Sequence, residues 1–131
     1  MDNDIYGIVN INPTQFFKAL ADPTRLRCVV LLQAEGELCV CELTHALGLI
    51  QPKISRHLAL LRASGVVQDR RDGFWVHYRI HPDLPAWAQD AIRETNRGLA
   101  GLAPFSSDRR ALAAMPNRPG EPSCCAPGVH G

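Results

Sequence analysis

The stretch "QPKISRHLALLRASGVVQDRRDGFWVHYRI", residues 51–80, changes its apolar period half-way along. In its first half Ile54, Leu58 and Leu61 recur at intervals of three and four, which puts them on one face of a helix. Pro52 stands at the start, where a missing N–H costs nothing, and Gly65 at the end. Beyond Gly65 the pattern alternates, and Asp72-Gly73 divides it into two strands around a tight turn. A helix therefore feeds directly into a β-hairpin. Upstream, "NPTQFFKALAD" has Asn12 as a cap, Pro13 at the first helical position, and Phe16, Phe17 and Leu20 at helical spacing. "DPTRLRCVVLLQAEG" repeats that grammar with Asp22 and Pro23, turning Leu26, Val29, Val30 and Cys28 inward until Gly36. A short helix over Val40 to Leu47 is stopped by Gly48, and only "GLI" joins it to the helix that opens at Pro52. A last helix is expected over residues 84–97, with Leu84, Trp87, Ala88, Ala91 and Ile92 as its apolar stripe. Four helices, a hairpin and a helix, with two short helices joined by a tight turn, make a winged helix-turn-helix, mainly α with a β-hairpin.

With 131 residues, 46% of them hydrophobic, the chain suffices for one core. That core is expected within residues 1–97. From Gly98 onward prolines recur at 104, 116, 119, 122 and 127 without a sustained apolar period, so 98–131 reads as a Pro/Gly-rich, flexible tail. No apolar run reaches the eighteen or so residues of a membrane span, and "MDNDIYGIVN" is acidic and lacks the pattern of an export signal. The expectation is a cytoplasmic protein whose thiols stay reduced, so its five cysteines suggest soft-ion binding, redox sensing or burial before disulfides.

The net charge of +1 conceals a partition. Residues 1–49 carry three basic and six acidic side chains, 50–81 six and two, and 82–131 five and five. The basic excess thus coincides with the helix and hairpin of the opening stretch, the footprint expected where phosphates are met. With Ile54, Leu58 and Leu61 inward, Lys53 and Arg56 turn outward, and Gln51 and Ser55 lie near the exposed N-terminal end. These types suit base edges and backbone: Gln pairs with adenine, Arg with guanine, and Lys meets phosphate. Arg70 and Arg71 flank the hairpin turn, where long cations lie along a backbone or minor groove. His57 lies beside the core stripe and is expected to pack, as are Trp75, His77 and Tyr78 in the hairpin.

In "GELCVCELTHALG", residues 36–48, Cys39 and Cys41 are two positions apart. Such a pair points to opposite sides of a regular helix and to the same side of an extended segment, so one ion can hold both only if the chain around Val40 is extended or distorted. Cys28 reads as a core thiol. Cys124 and Cys125, in "GEPSCCAPG", are candidates for a further ligand, for an independent site, or for a dispensable pair.

Taken together, "ADPTRLRCVVLL", "GELCVCEL", "QPKISRHLALLRASGVV" and "DGFWVHYRIHPDLPAW" resemble the arsenic-responsive branch of the ArsR/SmtB family of transcriptional repressors, over roughly residues 14–97. The resemblance implies a homodimer that binds double-stranded operator DNA without a cofactor and leaves it when As(III), or the similar Sb(III), binds cysteine thiolates. Two positions depart from that pattern: Thr44 stands where the branch commonly has a third cysteine, and Ile50 where a serine often precedes the "QP". The family's other ion site uses carboxylates and histidines on the last helix; residues 84–97 hold Asp90 and Glu94 but no histidine. A thiol-redox repressor of the same fold is the alternative. A small thiol-dependent arsenic enzyme is disfavoured, because no histidine precedes a cysteine in a compact nucleophile loop.

Overall fold

The structure is a computed structural model that describes residues 11–116 and 118. Its elements follow in the order α1 (Pro13–Leu20), α2 (Pro23–Glu35), β1 (Glu37–Cys39), α3 (Val40–Leu47), α4 (Gln51–Ala63), β2 (Val67–Asp72), β3 (Trp75–Ile80), α5 (Ala86–Leu99) and α6 (Phe105–Ala113). The winged helix-turn-helix expected from the period change is present.

Local chemistry explains the helix boundaries. The Asn12 side chain accepts from the Gln15 amide at 3.0 Å, and Asp22 accepts from those of Thr24 and Arg25 at 2.9 and 3.0 Å. Each such cap is worth about 0.5–2 kcal/mol against alanine. α3 ends on Gly48 at φ +68°, a left-handed conformation that glycine adopts without a Cβ clash. α4 starts after Ile50 without a side-chain cap.

Packing is centred on α2, whose Cys28, Val29, Val30, Leu31 and Leu32 are all buried. Phe16 from α1, Leu43 and Leu47 from α3, Ile54, Leu58 and Leu61 from α4, and Ala88 and Ile92 from α5 close around it. The outward face of α4 is thereby fixed: the stripe that anchors the helix dictates which residues are left for solvent.

Three features differ from expectation. β1 was not legible: it pairs antiparallel with β3, Glu37 opposite Arg79 and Cys39 opposite His77, making a three-stranded sheet in the order β1-β3-β2. Three residues are too few to display a period, and their partner lies some forty positions away. The hairpin turn sits one residue later than expected, because Asp72 pairs with Trp75 and leaves Gly73 and Phe74 as the loop. The loose tail expected from Gly98 is corrected for the described part. α5 runs on to Leu99, and α6 packs against α2 and α3 with Asp108 and Leu112 buried. Its short apolar stripe gains stability from the surface that α3 offers, which no local pattern announces. Cys124 and Cys125 lie outside the described residues.

Candidate functional site

The exposed end of α4 presents Gln51 and Arg56, with Lys53 and Ser55 partly exposed, while Ile54 and Leu58 are fully buried beneath them. Neither Lys53 nor Arg56 forms an ion pair among the described residues. Both cations are thus available to an anionic partner. His57 is buried, as expected of a packing residue; its Nδ1 lies 3.3 Å from the Arg25 guanidinium and 3.8 Å from Asp22. With the guanidinium as donor, Nδ1 is the acceptor of a neutral ring. Burial holds the His57 pKa below its ordinary value, Asp22 opposes this, and Arg25, Arg56 and Lys53 reinforce it.

The two hairpin cations are not equivalent. Arg70 grips Glu37 of β1 through two hydrogen bonds, at 2.7 and 3.2 Å, reaching across β3 to brace the wing. Its hydrogen bond holds the partly exposed Glu37 carboxyl below its usual range. Arg71 is exposed and has no ion pair among the described residues. At the wing tip Phe74 is exposed, whereas Tyr78 is buried in the core and Trp75 and His77 pack edge to face with centroids 6.4 Å apart.

The Cys39–Cys41 pair lies at the junction of β1 and α3. Cys39 ends the strand and caps the helix with φ −87° and ψ 167°, and Val40 is already helical. The turn from strand to helix at Cys39, rather than distortion of α3, brings the two sulfurs to one side, 2.7 Å apart. Cys39 is buried and Cys41 partly exposed. Glu42, buried at 4% exposure, accepts the Cys39 backbone N–H at 2.9 Å, and the Arg118 guanidinium donates to the same carboxylate at 2.9 and 2.8 Å. Neither residue was legible from local pattern, although Cys39 and Glu42 stand at capping-box spacing. Thr44, one turn after Cys41, donates its hydroxyl to the Val40 carbonyl at 2.8 Å. Cys28 is remote in character, a fully buried thiol whose pKa burial pushes up to about 12. Among the described residues no group of three or more His, Cys, Asp or Glu side chains is arranged to hold a metal ion. On α5, Asp90 pairs with Arg93 at 2.5 Å and Glu94 pairs with Arg97.

Of the large apolar residues of α1 and α5, Phe16 and Ile92 serve this chain's own core, with 0% and 1% exposure. Phe17 and Trp87 remain 54% and 42% exposed, their rings joined to Phe16 at centroid distances of 5.0 and 5.2 Å.

A short helix, a three-residue turn, a second helix with unpaired cations at its exposed start, and an adjoining wing define a DNA-binding transcriptional regulator of the winged helix-turn-helix class. The sequence profile described as "Bacterial regulatory protein, arsR family" matches residues 22–69. The chain is 51% identical over 116 residues to the Arsenic resistance transcriptional regulator ArsR1 of Pseudomonas putida, covering 88% of this chain and 89% of that protein. It is 61% identical over 85 residues to the Arsenical resistance operon repressor of Escherichia coli, covering 65% and 73% respectively. Among solved structures it is similar to HlyU from Vibrio cholerae, with a TM-score of 0.60 and 28% identity over 76% of this chain and 99% of that one. The chain belongs to the arsR family of bacterial regulatory proteins. These relatives are transcriptional regulators, not enzymes.

Proposed function

We propose that this protein is a homodimeric repressor that holds operator DNA through α4 and the wing, and releases it when As(III), or the similarly thiophilic Sb(III), binds the Cys39 and Cys41 thiolates. The observation that carries this reading is the position of the thiol pair at the start of α3, the helix on which α4 is seated. The names of the relatives, an arsenic resistance regulator and an arsenical resistance operon repressor, support the identity of the inducer. Soft sulfur donors suit such an ion, whereas the Thr44 hydroxyl is a poor ligand and is already committed to a backbone carbonyl. Each As–S bond that forms replaces an As–OH bond and releases one water, with no change of oxidation state. The third coordination position then falls to Cys124 or Cys125, or to a retained hydroxyl.

Gln51, Ser55 and Arg56 read base edges in this proposal, while Lys53 and Arg71 meet phosphate. Arg70 joins them only by exchanging Glu37 for DNA. The two-state balance between holding and releasing requires about 5.5 kcal/mol of differential inducer affinity to move from 1:99 to 99:1.

The test is fluorescence anisotropy of operator DNA titrated with arsenite under reducing conditions, with zinc and peroxide in parallel. Changing Cys39→Ser and Cys41→Ser together should yield a protein that keeps the operator at every arsenite concentration. Release of this variant at the wild-type concentration overturns the assignment of the trigger. Release of the wild-type protein by peroxide and not by arsenite would establish the redox alternative instead.

A further inference from the structure

Both ends of α3 are tied to the C-terminal segment, by two separate polar links. At its C-terminal end, the Leu47 carbonyl accepts from Arg27 of α2 at 3.2 Å, and the same guanidinium grips Asp108 of α6 at 2.7 and 2.9 Å. Asp108 is 2% exposed, and its hydrogen bond raises the Arg27 pKa. At the N-terminal end, Arg118 grips Glu42, whose other oxygen accepts the Cys39 N–H. Between these links Leu112 is buried and Met115 packs against the core. Each end of α3 thus meets a buried carboxylate held by a guanidinium, and burying either carboxylate without that partner would be strongly disfavoured.

We infer that α6 and the residues after it up to Pro116, together with Arg118, strap across α3, and that Arg118, acting through Glu42, is a positioning residue for the Cys39–Cys41 pair that sets inducer sensitivity. The inference rests on the reading of that pair as the inducer site. Cys39 is at once the last residue of β1, the cap of α3 and a thiol of the pair, so whatever fixes its backbone amide fixes one sulfur relative to the other. Glu42 does this, and Arg118 holds the Glu42 carboxylate in the orientation required. Without Arg118, the buried carboxylate has a reason to turn toward water, and the Cys39 amide loses its acceptor. The reading face of α4 is untouched by this change, since it is seated on Ile54, Leu58 and Leu61. Sensitivity to inducer and affinity for DNA are therefore separable at this position, with both thiols still present.

The experiment uses the full chain and three variants, Arg118→Ala, Arg118→Lys and Glu42→Gln. Operator affinity without arsenite, arsenite concentration for half-release, and amide hydrogen exchange at Cys39 are measured for each, with thermal melting as the check on folding. Arg118→Ala is expected to keep wild-type operator affinity, to need at least about fivefold more arsenite for half-release, and to exchange the Cys39 amide faster. Arg118→Lys, which retains the charge but not the paired donors, should recover part of that shift even if the alanine variant folds poorly. Glu42→Gln should resemble Arg118→Ala, and the double variant Glu42→Gln with Arg118→Ala should be no worse than either, because both break one link. Half-release at the wild-type concentration in Arg118→Ala, with the wild-type protein itself released by arsenite, overturns the positioning role alone. A wild-type protein that arsenite does not release overturns this inference and the inducer reading together.

Discussion

Arg56 and Lys53 share the exposed start of α4 but do different work in the proposed interface. A guanidinium paired to a base edge carries sequence information, so Arg56→Ala is expected to weaken operator binding by about 1–3 kcal/mol and to relax discrimination at one base pair. Lys53→Ala should instead lower affinity evenly across sequences and reduce the slope of affinity against salt by about one unit. Competition binding at several salt concentrations separates the two outcomes. His57, one position along, makes the fold acid-sensitive. Its pKa is depressed in the folded chain, so the unfolded chain takes up the proton more readily, and stability falls as pH drops below the ordinary value of 6.5. Above that value the group contributes no slope. Urea denaturation should show a loss of at most about 1.4 kcal/mol per pH unit just below it, and His57→Gln should flatten the curve there. Asp22 adds a second, lower window. Burial opposes its ionisation, but the amides and charges of Arg25, His57 and Thr24 outweigh this and depress the carboxyl, so its stabilising effect is lost only as pH falls below 3.8.

α6 illustrates how an element can be stable without announcing itself. The segment "FSSDRRALA" carries few apolar residues, and its isolated nine-residue helix would be marginal in water. What holds it is the burial of Leu112 at 1% exposure and the Arg27–Asp108 pair. Leu112→Ala is expected to cost about 2–5 kcal/mol, measurable as a lower denaturation midpoint, because it empties a filled position between α6, α2 and α3. The wing is braced differently, from outside, by the Arg70–Glu37 contact across β3. Glu37 belongs to a strand only three residues long, so that pair and the β1–β3 register position the start of α3 as well as the hairpin.

As an assembly, the protein is expected to be a two-fold dimer joined through α1 and α5. Phe17 and Trp87 leave apolar rings exposed beside the buried Phe16, and a second copy of this surface would cover them. Two reading helices related by that symmetry require an inverted repeat with half-site centres about 10 base pairs apart, or a multiple. Sedimentation together with footprinting checks both statements. A monomer that protects one asymmetric site would refute them. Replacing Phe17 and Trp87 by serine should weaken the dimer and operator binding in parallel, without altering the packing of α4.

α4, its inward stripe and its outward cations were legible because they obey local rules. Period 3.6 before Gly65 and period 2 after it decide which residues are buried, and proline, asparagine, aspartate and glycine mark where the elements begin and end. The Cys39–Cys41 spacing likewise announced a thiol pair and the need for an extended chain beside it. Its realisation depended on β1, whose hydrogen bonds come from β3, and on Glu42 and Arg118, whose link spans 76 positions. The same holds for Asp108, which reads as an ordinary surface aspartate until α2 supplies Arg27. Local sequence determined α1 to α5, the hairpin and the side chains they offer, since those follow from backbone sterics and periodicity, whereas β1 and α6 took their form from tertiary partners. Tertiary structure alone decided which cations are spent on internal partners and which, among the described residues, form no ion pair, because pairing between distant charges is settled only when packing brings them out of water together.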